Sequence, residues 1–335
     1  VKKQEDLSNL LIEVSKFYYE DQLTQAQIAK KVGLSRPKIS RLLKLAREVG
    51  LVKVIISNPY EDLHSLERKL VSLFSLKDAK VVMVPEADDT LSKQVTARES
   101  VPFISRLLQP FDRIGVGWGV TIYEVAKNLP SFRLPGAMIV QLSGGVDNAK
   151  TKNYANEIVQ TLAHKLEADA YTLPCPAMVD NESIAEALMR DAKIKHLLEL
   201  GRSCNKMIIS IGVPGADSCL TQAGYIKHED LQRLQKEDAV GIMCNRFYNS
   251  KGEVCDFDLD RRTLGIRLED IKKAECVIAC IAGIGKAKAL QCALKAGYID
   301  YLVVDSITAK TLLFDFSPFD LQASEDPLTS FSIDK

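Results

Sequence analysis

From residue 80 to residue 305 the chain alternates short apolar, β-rich runs with longer stretches of helical spacing, and this restricts the fold more than any other feature. The β-rich runs fall at 80–84, 113–116, 137–142, 168–173, 207–211, 239–243, 276–282 and 301–305, with helical segments between most of them. Alternation of this kind implies a mostly parallel sheet with helices on both faces, an α/β fold. Ligands of such sheets bind beyond the carboxyl ends of the strands, where glycine lets a backbone come close.

Three of these strand ends carry glycine loops. Residues 115–121 read GVGWGVT, so Gly117 and Gly119 allow backbone amides to converge, and Thr121 adds a hydroxyl at the start of a helix. Ser143, Gly144 and Gly145 form a second loop, and AGIGK at 282–286 a third, where Lys286 can meet a phosphate as a point charge. Taken singly, each is as well read as a packing turn or a surface lysine. Neither nucleotide fingerprint is present: G-x-x-x-x-G-K-[ST] is missing, and Gly119 comes one residue early for G-x-G-x-x-G. Together the three loops point to a small anionic ligand rather than a nucleotide.

Ahead of this body lies a module of different character. Apolar spacing predicts a helix over 7–20. Thr24 opens a second helix, with Gln27 completing a capping box and Ala26, Ile28, Ala29 and Val32 on the buried side. Gly33 breaks it, since the turn needs a residue that tolerates positive φ. Ser35 caps a third helix with Pro37 in its first turn, and Ile39, Leu42, Leu43 and Ala46 form its inner stripe. Pro37, Arg41 and Lys44 then centre on the opposite face, with Arg36 and Lys38 near the N-terminal end. Gly50 stops the helix, and 51–56 reads as a strand, the start of a wing.

Charge supports one use for this module. Lys+Arg and Asp+Glu both number 44, yet the segment 30–53 is strongly basic, with Glu48 its only acid. Helix, glycine turn and basic helix make a helix-turn-helix, whose last helix enters the major groove of duplex DNA. Arg36, Lys38 and Arg41 are the candidates for base readout. Thr24, Gln25, Lys44 and Lys53 are better placed for phosphates, and Ser40 suits either role. The plainer alternative is a solvated basic helix in a three-helix bundle; the ordered succession of cap, turn, cap and wing favours DNA.

Three regions follow: a winged helix-turn-helix at 1–58, a linker helix at 59–77, and a ligand-binding and oligomerisation domain at 78–335. The linker's leucines at 63, 66, 70 and 73 could pack on the large domain or pair with another chain. No apolar run is long enough to span a membrane, and the first residues lack the apolar core of a signal peptide, which leads to the expectation of a cytoplasmic protein. The eight cysteines include no C-x-x-C pair, so they read as reduced core thiols, Cys276 and Cys280 among them. The tail beyond residue 316 carries no functional signal.

The segments 23–29 (LTQAQIA) and 34–43 (LSRPKISRLL), with GVGWGVT at 115–121, QLSGG at 141–145, LPCPA at 173–177, AVG at 239–241 and AGIGKA at 282–287, resemble the SorC family of bacterial sugar-responsive regulators. The motifs fall in the family's order over nearly the whole chain. The resemblance implies a winged reader joined to an effector domain related to sugar-phosphate isomerases and deaminases, assembled as a homo-oligomer, commonly a tetramer, on palindromic operators. It implies that Gly117, Gly119, Thr121, Gly144, Gly145 and Lys286 hold the phosphate, with Gln141, Ser143, Asn153, Pro174 and Cys175 nearer the sugar. Two departures bear on the sugar: Ile242 stands where many members have an acid, and Cys175 where the loop often reads Leu-Pro-Ala-Pro.

The expected function is a DNA-binding transcription regulator of carbohydrate metabolism, modulated by a phosphorylated sugar or sugar alcohol, without a cofactor or metal. The alternative is an isomerase or deaminase on the same scaffold. That chemistry needs a positioned base, and His64, His164, His196 and His228 all fall outside the strand-end loops. Asp256, Asp258 and Asp260 alternate in a turn like a solvated or calcium-like run, but without the terminal glutamate of an EF-hand.

Overall fold

The computed structural model describes residues 2–49, 51–52, 63–84, 88–146 and 155–314. The chain divides into two compact units, Val1–Pro59 and Tyr60–Lys335.

The first unit holds α1 (Lys2–Tyr19), α2 (Gln25–Val32) and α3 (Arg36–Glu48). Its core is small: Leu11, Val14, Ile28, Ile39, Leu42, Leu43 and Ala46 are buried together. The capping box is formed, with the Thr24 amide donating to Gln27 Oε1 at 2.9 Å and the Gln27 amide to Thr24 Oγ1 at 3.3 Å. Gly33 ends α2 in the left-handed region at φ 70°, which fixes the turn into α3. Two expectations need correction. Ala26 is exposed rather than buried, and Ser35 sits at the N-cap of α3 without a side-chain cap hydrogen bond. Gly50, Lys53 and nearly all of the expected wing lie outside the described residues.

The second unit begins with α4 (Leu63–Phe74), β1 (Asp78–Val82), α5 (Asp89–Ser105), β2 (Arg113–Val116), α6 (Val120–Asn128), β3 (Met138–Gln141), α7 (Ala155–Leu166) and β4 (Asp169–Tyr171). It continues through α8 (Glu182–Arg190), α9 (Ala192–Arg202), β5 (Lys206–Ile209), α10 (Cys219–Gln222), α11 (His228–Lys236), β6 (Ala239–Met243) and β7 (Arg246–Asn249). Last come α12 (Phe257–Arg262), α13 (Leu268–Lys273), β8 (Cys276–Ile281), α14 (Ala287–Lys295), β9 (Tyr301–Asp305) and α15 (Ser306–Phe314).

Seven strands form one sheet in the order β1-β9-β8-β5-β2-β3-β4, and every pairing in it is parallel. Alternate residues of the central strands feed two cores. On β8, Val277, Ala279 and Ile281 face the core that α4, α14 and α15 cover. Cys276, Ile278 and Cys280 face the core under α5, α6 and α7. All eight cysteines are free thiols, and burial pushes that of Cys280 up to about 12. The helix α4 packs on the large domain, where Leu66 and Leu70 are fully buried.

The run at 239–243 is a strand, β6, but outside the large sheet: it pairs antiparallel with β7, which sequence reading missed. The turn between them, Cys244-Asn245, has φ of 46° and 68°, the two positive values that a tight hairpin requires. The aspartate run is structural. Asp256 caps α12 and pairs with Arg233, Asp258 pairs with Arg262, and Asp260 binds the buried Arg246. No cluster of ligands suited to a metal ion occurs among the described residues.

Candidate functional site

The chain winds outward from β2 through β3 to β4, then returns to place β5 on the other side of β2. Helices on either side of that reversal splay apart, and open sheets bind ligands in the resulting crevice. A cavity of about 620 Å³ lies there, lined by residues from the ends of β2, β3, β5, β8 and β9. That volume suits a small metabolite.

Its anionic subsite is built by two loops. After β2, Gly119 adopts φ 144° as N-cap of α6, and the first amides of the helix have no partner within it. No hydrogen bond takes up the amides of Val120 and Thr121 among the described residues. After β8, Ile284–Lys286 form a short 3₁₀ turn with Gly283 at its N-cap, and its lysine is half-buried and lines the same cavity. Burial first, and then the nearby Lys93, push the Lys286 ammonium down to about 8. Lys93 is itself paired with Asp89. Lys286 itself forms no ion pair among the described residues, so an anion entering the cavity would meet a cation without a partner.

Asp305, at the end of β9, fixes that loop. Its carboxylate is 1% exposed and accepts from the amides of Gly283 at 2.9 Å and Thr308 at 2.7 Å. Gly283 also lies close to Asp89: a Cβ there would be 2.3 Å from Asp89 Oδ1, and its φ of 109° favours glycine.

Of the expected phosphate ligands, Gly117, Gly119, Thr121 and Lys286 line the cavity. The Gly117 amide is spent on Ile208 O at 2.9 Å, so that glycine contributes space rather than a donor. Gly144 and Gly145 are corrections. Their amides donate to Leu264 O and Cys175 O at 2.9 and 3.1 Å, and neither residue lines the cavity. Gly144 is instead a crossing point, where its carbonyl accepts from Trp118 Nε1 at 3.1 Å and Asn245 Nδ2 at 3.0 Å.

Of the expected sugar contacts, only Ser143 lines the cavity. Gln141 has both ends of its amide engaged, donating to Ser143 O at 2.7 Å and accepting from Leu173 N at 3.3 Å. It stitches β3 to the strand beside it. Pro174 borders a separate cavity formed with α8 and α9, and Cys175 packs on the same side. Asn153 lies outside the described residues. Sequence reading missed Asp89, Lys93, Ser210, Asn245 and Asp305 in the cavity wall. The loop after β5 carried a readable signal, because Gly212 and Gly215 follow a strand end there too.

On the first unit, Arg36, Pro37, Lys38, Ser40, Arg41 and Lys44 are all exposed, as is Thr24, while Gln25 is half-buried. Lys31 and Arg47 are held against α1, over the Phe17 ring at 3.9 Å and by the Tyr19 hydroxyl at 2.9 Å. The exposed cations of α3 share one face of a helix whose other face is core.

A protein-family model described as "Putative sugar-binding domain" matches residues 58–314. The deoxyribonucleoside regulator of Bacillus subtilis is 31% identical over 306 residues, covering 91% of this chain and 97% of that protein. The sorbitol operon regulator of Klebsiella pneumoniae is 30% identical over 309 residues, with 91% and 97% covered. The crystal structure of full-length SorC from Klebsiella pneumoniae superposes with a TM-score of 0.70 at 29% identity, covering 91% of this chain and 98% of that one. The family match spans the cavity-bearing unit and the relatives span both units, so the chain belongs to the SorC family of sugar-responsive transcription regulators.

Proposed function

We propose that this regulator binds operator DNA through α3 and alters that binding when a phosphorylated sugar or sugar alcohol fills the cavity at the β2–β5 reversal. One observation carries the reading: a half-buried lysine, held at about 8, faces a cavity beside the open N-terminus of α6. A cation stripped of water in this way gains most from an anion that restores its partner. One relative is named as a deoxyribonucleoside regulator and another as a sorbitol operon regulator, which supports a regulator rather than an enzyme.

Assembly as a homo-oligomer, in the tetrameric form the resemblance implies, would place readers on a palindromic operator, since symmetric proteins match symmetric half-sites. The protein acts where its DNA is, in the cytoplasm, and needs no cofactor. No helix among the described residues is long and apolar enough to cross a membrane. The test is operator binding by the full chain, on DNA upstream of its own coding region, with and without phosphorylated sugars. Binding that no such compound alters overturns the effector assignment, and no binding to that DNA overturns the assignment of α3.

A further inference from the structure

Among the described residues of the second unit, nine large hydrophobics are exposed, and three of them line the cavity. Val120 is 42% exposed, Val213 37% and Ile284 44%. Each stands on a different strand-end loop, after β2, β5 and β8. Val120 directly follows Gly119 at the start of α6, and Ile284 lies between Gly283 and Gly285, two residues before Lys286. Hydrocarbon therefore adjoins the anionic subsite on both of its loops. Exposed aliphatics scattered singly need no explanation, but three that line one cavity from three loops form a shared surface.

The backbone and indole groups along this wall are spent within the protein. The amide and carbonyl of Ile242, which also lines the cavity, exchange 2.9 Å hydrogen bonds with those of Gly212. The indole of Trp118 donates to Gly144 O at 3.1 Å, and the Gly117 amide to Ile208 O at 2.9 Å. A ligand hydroxyl set against Val213 and Ile242 would leave water for carbon, whereas a hydrocarbon group gains by the same contact. The cavity, at about 620 Å³, is of the size that takes drug-like molecules, with room for a ring as well as a phosphate.

We propose that the ligand of this cavity is an amphiphilic phosphate monoester, a phosphorylated sugar carrying an alkyl or aryl group that lies against Val120, Val213 and Ile284, rather than a bare polyol phosphate. This rests on the effector reading above and adds the chemical class of the group the sugar carries. The cation attracts any phosphate, and the aliphatic wall selects among its esters. Cover by a second copy of the chain is the competing occupant of the same aliphatics, and the test separates the two.

The test is calorimetric titration of the full chain, wild type and the variants Val213→Ser and Val213→Leu. The probes are inorganic phosphate, phenyl phosphate, erythritol 4-phosphate, glucose 6-phosphate and phenyl 6-phospho-β-glucoside. Phenyl phosphate is expected to bind about tenfold tighter than inorganic phosphate, the gain when a ring leaves water for aliphatic surface, with a negative change in heat capacity. Val213→Ser removes about threefold of that gain and leaves inorganic phosphate unchanged, while Val213→Leu keeps the wild-type preference. The proposal is overturned if phenyl phosphate binds no tighter than inorganic phosphate, if erythritol 4-phosphate binds tighter than phenyl phosphate, if the phenyl glucoside binds more weakly than glucose 6-phosphate, or if Val213→Ser weakens inorganic phosphate equally. It is also overturned if Val213→Ser lowers the mass of the unliganded assembly in light scattering and leaves phenyl phosphate binding unchanged, which assigns the aliphatics to a subunit contact. Failure of inorganic phosphate and every ester to bind is a different result, and defeats the effector reading itself. Unchanged thermal midpoints of the unliganded variants separate lost contacts from lost folding.

Discussion

The Asp305 carboxylate accepts the Gly283 amide at 2.9 Å, so the end of β9 holds the loop that carries Lys286. The same carboxylate accepts the amide and hydroxyl of Thr308, at 2.7 and 2.6 Å, and thereby caps α15. One side chain thus ties a helix N-terminus to the anionic subsite. Asp305→Ala removes charge-assisted bonds and leaves buried donors unpaired, which should cost about 3 kcal/mol of stability. Urea unfolding measures that loss. Asp305→Asn keeps one acceptor and should cost less; equal loss in both would show that charge, not geometry, dominates.

Lys286 sets a pH dependence whose two parts have opposite sign. Its ammonium titrates at about 8 in the folded protein, against 10.5 for an ordinary lysine. Between those values the unfolded chain binds more protons, so this residue's contribution to the stability of the unliganded protein rises with pH. Affinity for inorganic phosphate moves the other way, falling about tenfold between pH 7.5 and 9 as the charge is lost. Lys286→Met should flatten both trends, weaken phosphate binding and raise the thermal midpoint at pH 7. Phosphate titrations at the two pH values check the first effect, and thermal unfolding across pH checks the second.

On α3, the expected division between base and phosphate contacts gives separable outcomes. Arg41 and Lys44 are both exposed, so alanine at either leaves the core of the unit intact. Arg41→Ala should cost about 1–3 kcal/mol on the specific operator and relax sequence preference at one position. Lys44→Ala should weaken all duplexes alike and reduce the slope of log affinity against log salt by about 1. Anisotropy titrations at several salt concentrations, on operator and unrelated DNA, distinguish the two. Equal, sequence-blind losses from both variants would remove base readout from Arg41.

Legibility in the sequence followed the range of the interactions. The capping box of Thr24 and Gln27 and the turn at Gly33 are local, and both were readable from neighbours in the chain. The central strand β8 was readable because it is a continuous apolar run buried on both faces, whereas the edge strand β4 is a short, largely exposed Asp-Ala-Tyr. The partner of β6 was not, because Arg246 to Asn249 is only four residues long, its two aromatics are flanked by polar residues, and its pairing is set by the hairpin turn. Ser143-Gly144-Gly145 looked like a phosphate loop, yet whether an amide faces a ligand or a neighbouring strand depends on Leu264 and Cys175, distant in sequence. Lys93 and Asp305 entered the cavity by the same kind of long-range placement, which no local spacing reveals.

Gly144 gives the sharpest test of that correction. A Cβ built on it would lie 2.0 Å from Pro176 O and 2.5 Å from the carbon of the same carbonyl, both rigid backbone atoms. Its amide and carbonyl are already committed to Leu264, Trp118 and Asn245. Gly144→Ala must therefore push the 173–177 segment away from β3, and overpacking of this kind costs about 1–3 kcal/mol or more. A loop whose glycine served only to admit a phosphate would behave differently: alanine would leave the unliganded protein's stability intact and reduce affinity alone. Gly119, with nothing within 4 Å of the position a Cβ would take, provides the comparison, although its φ of 144° makes any side chain there strained. Denaturant unfolding of Gly144→Ala without ligand decides the matter. A midpoint equal to wild type would return Gly144 to the phosphate site.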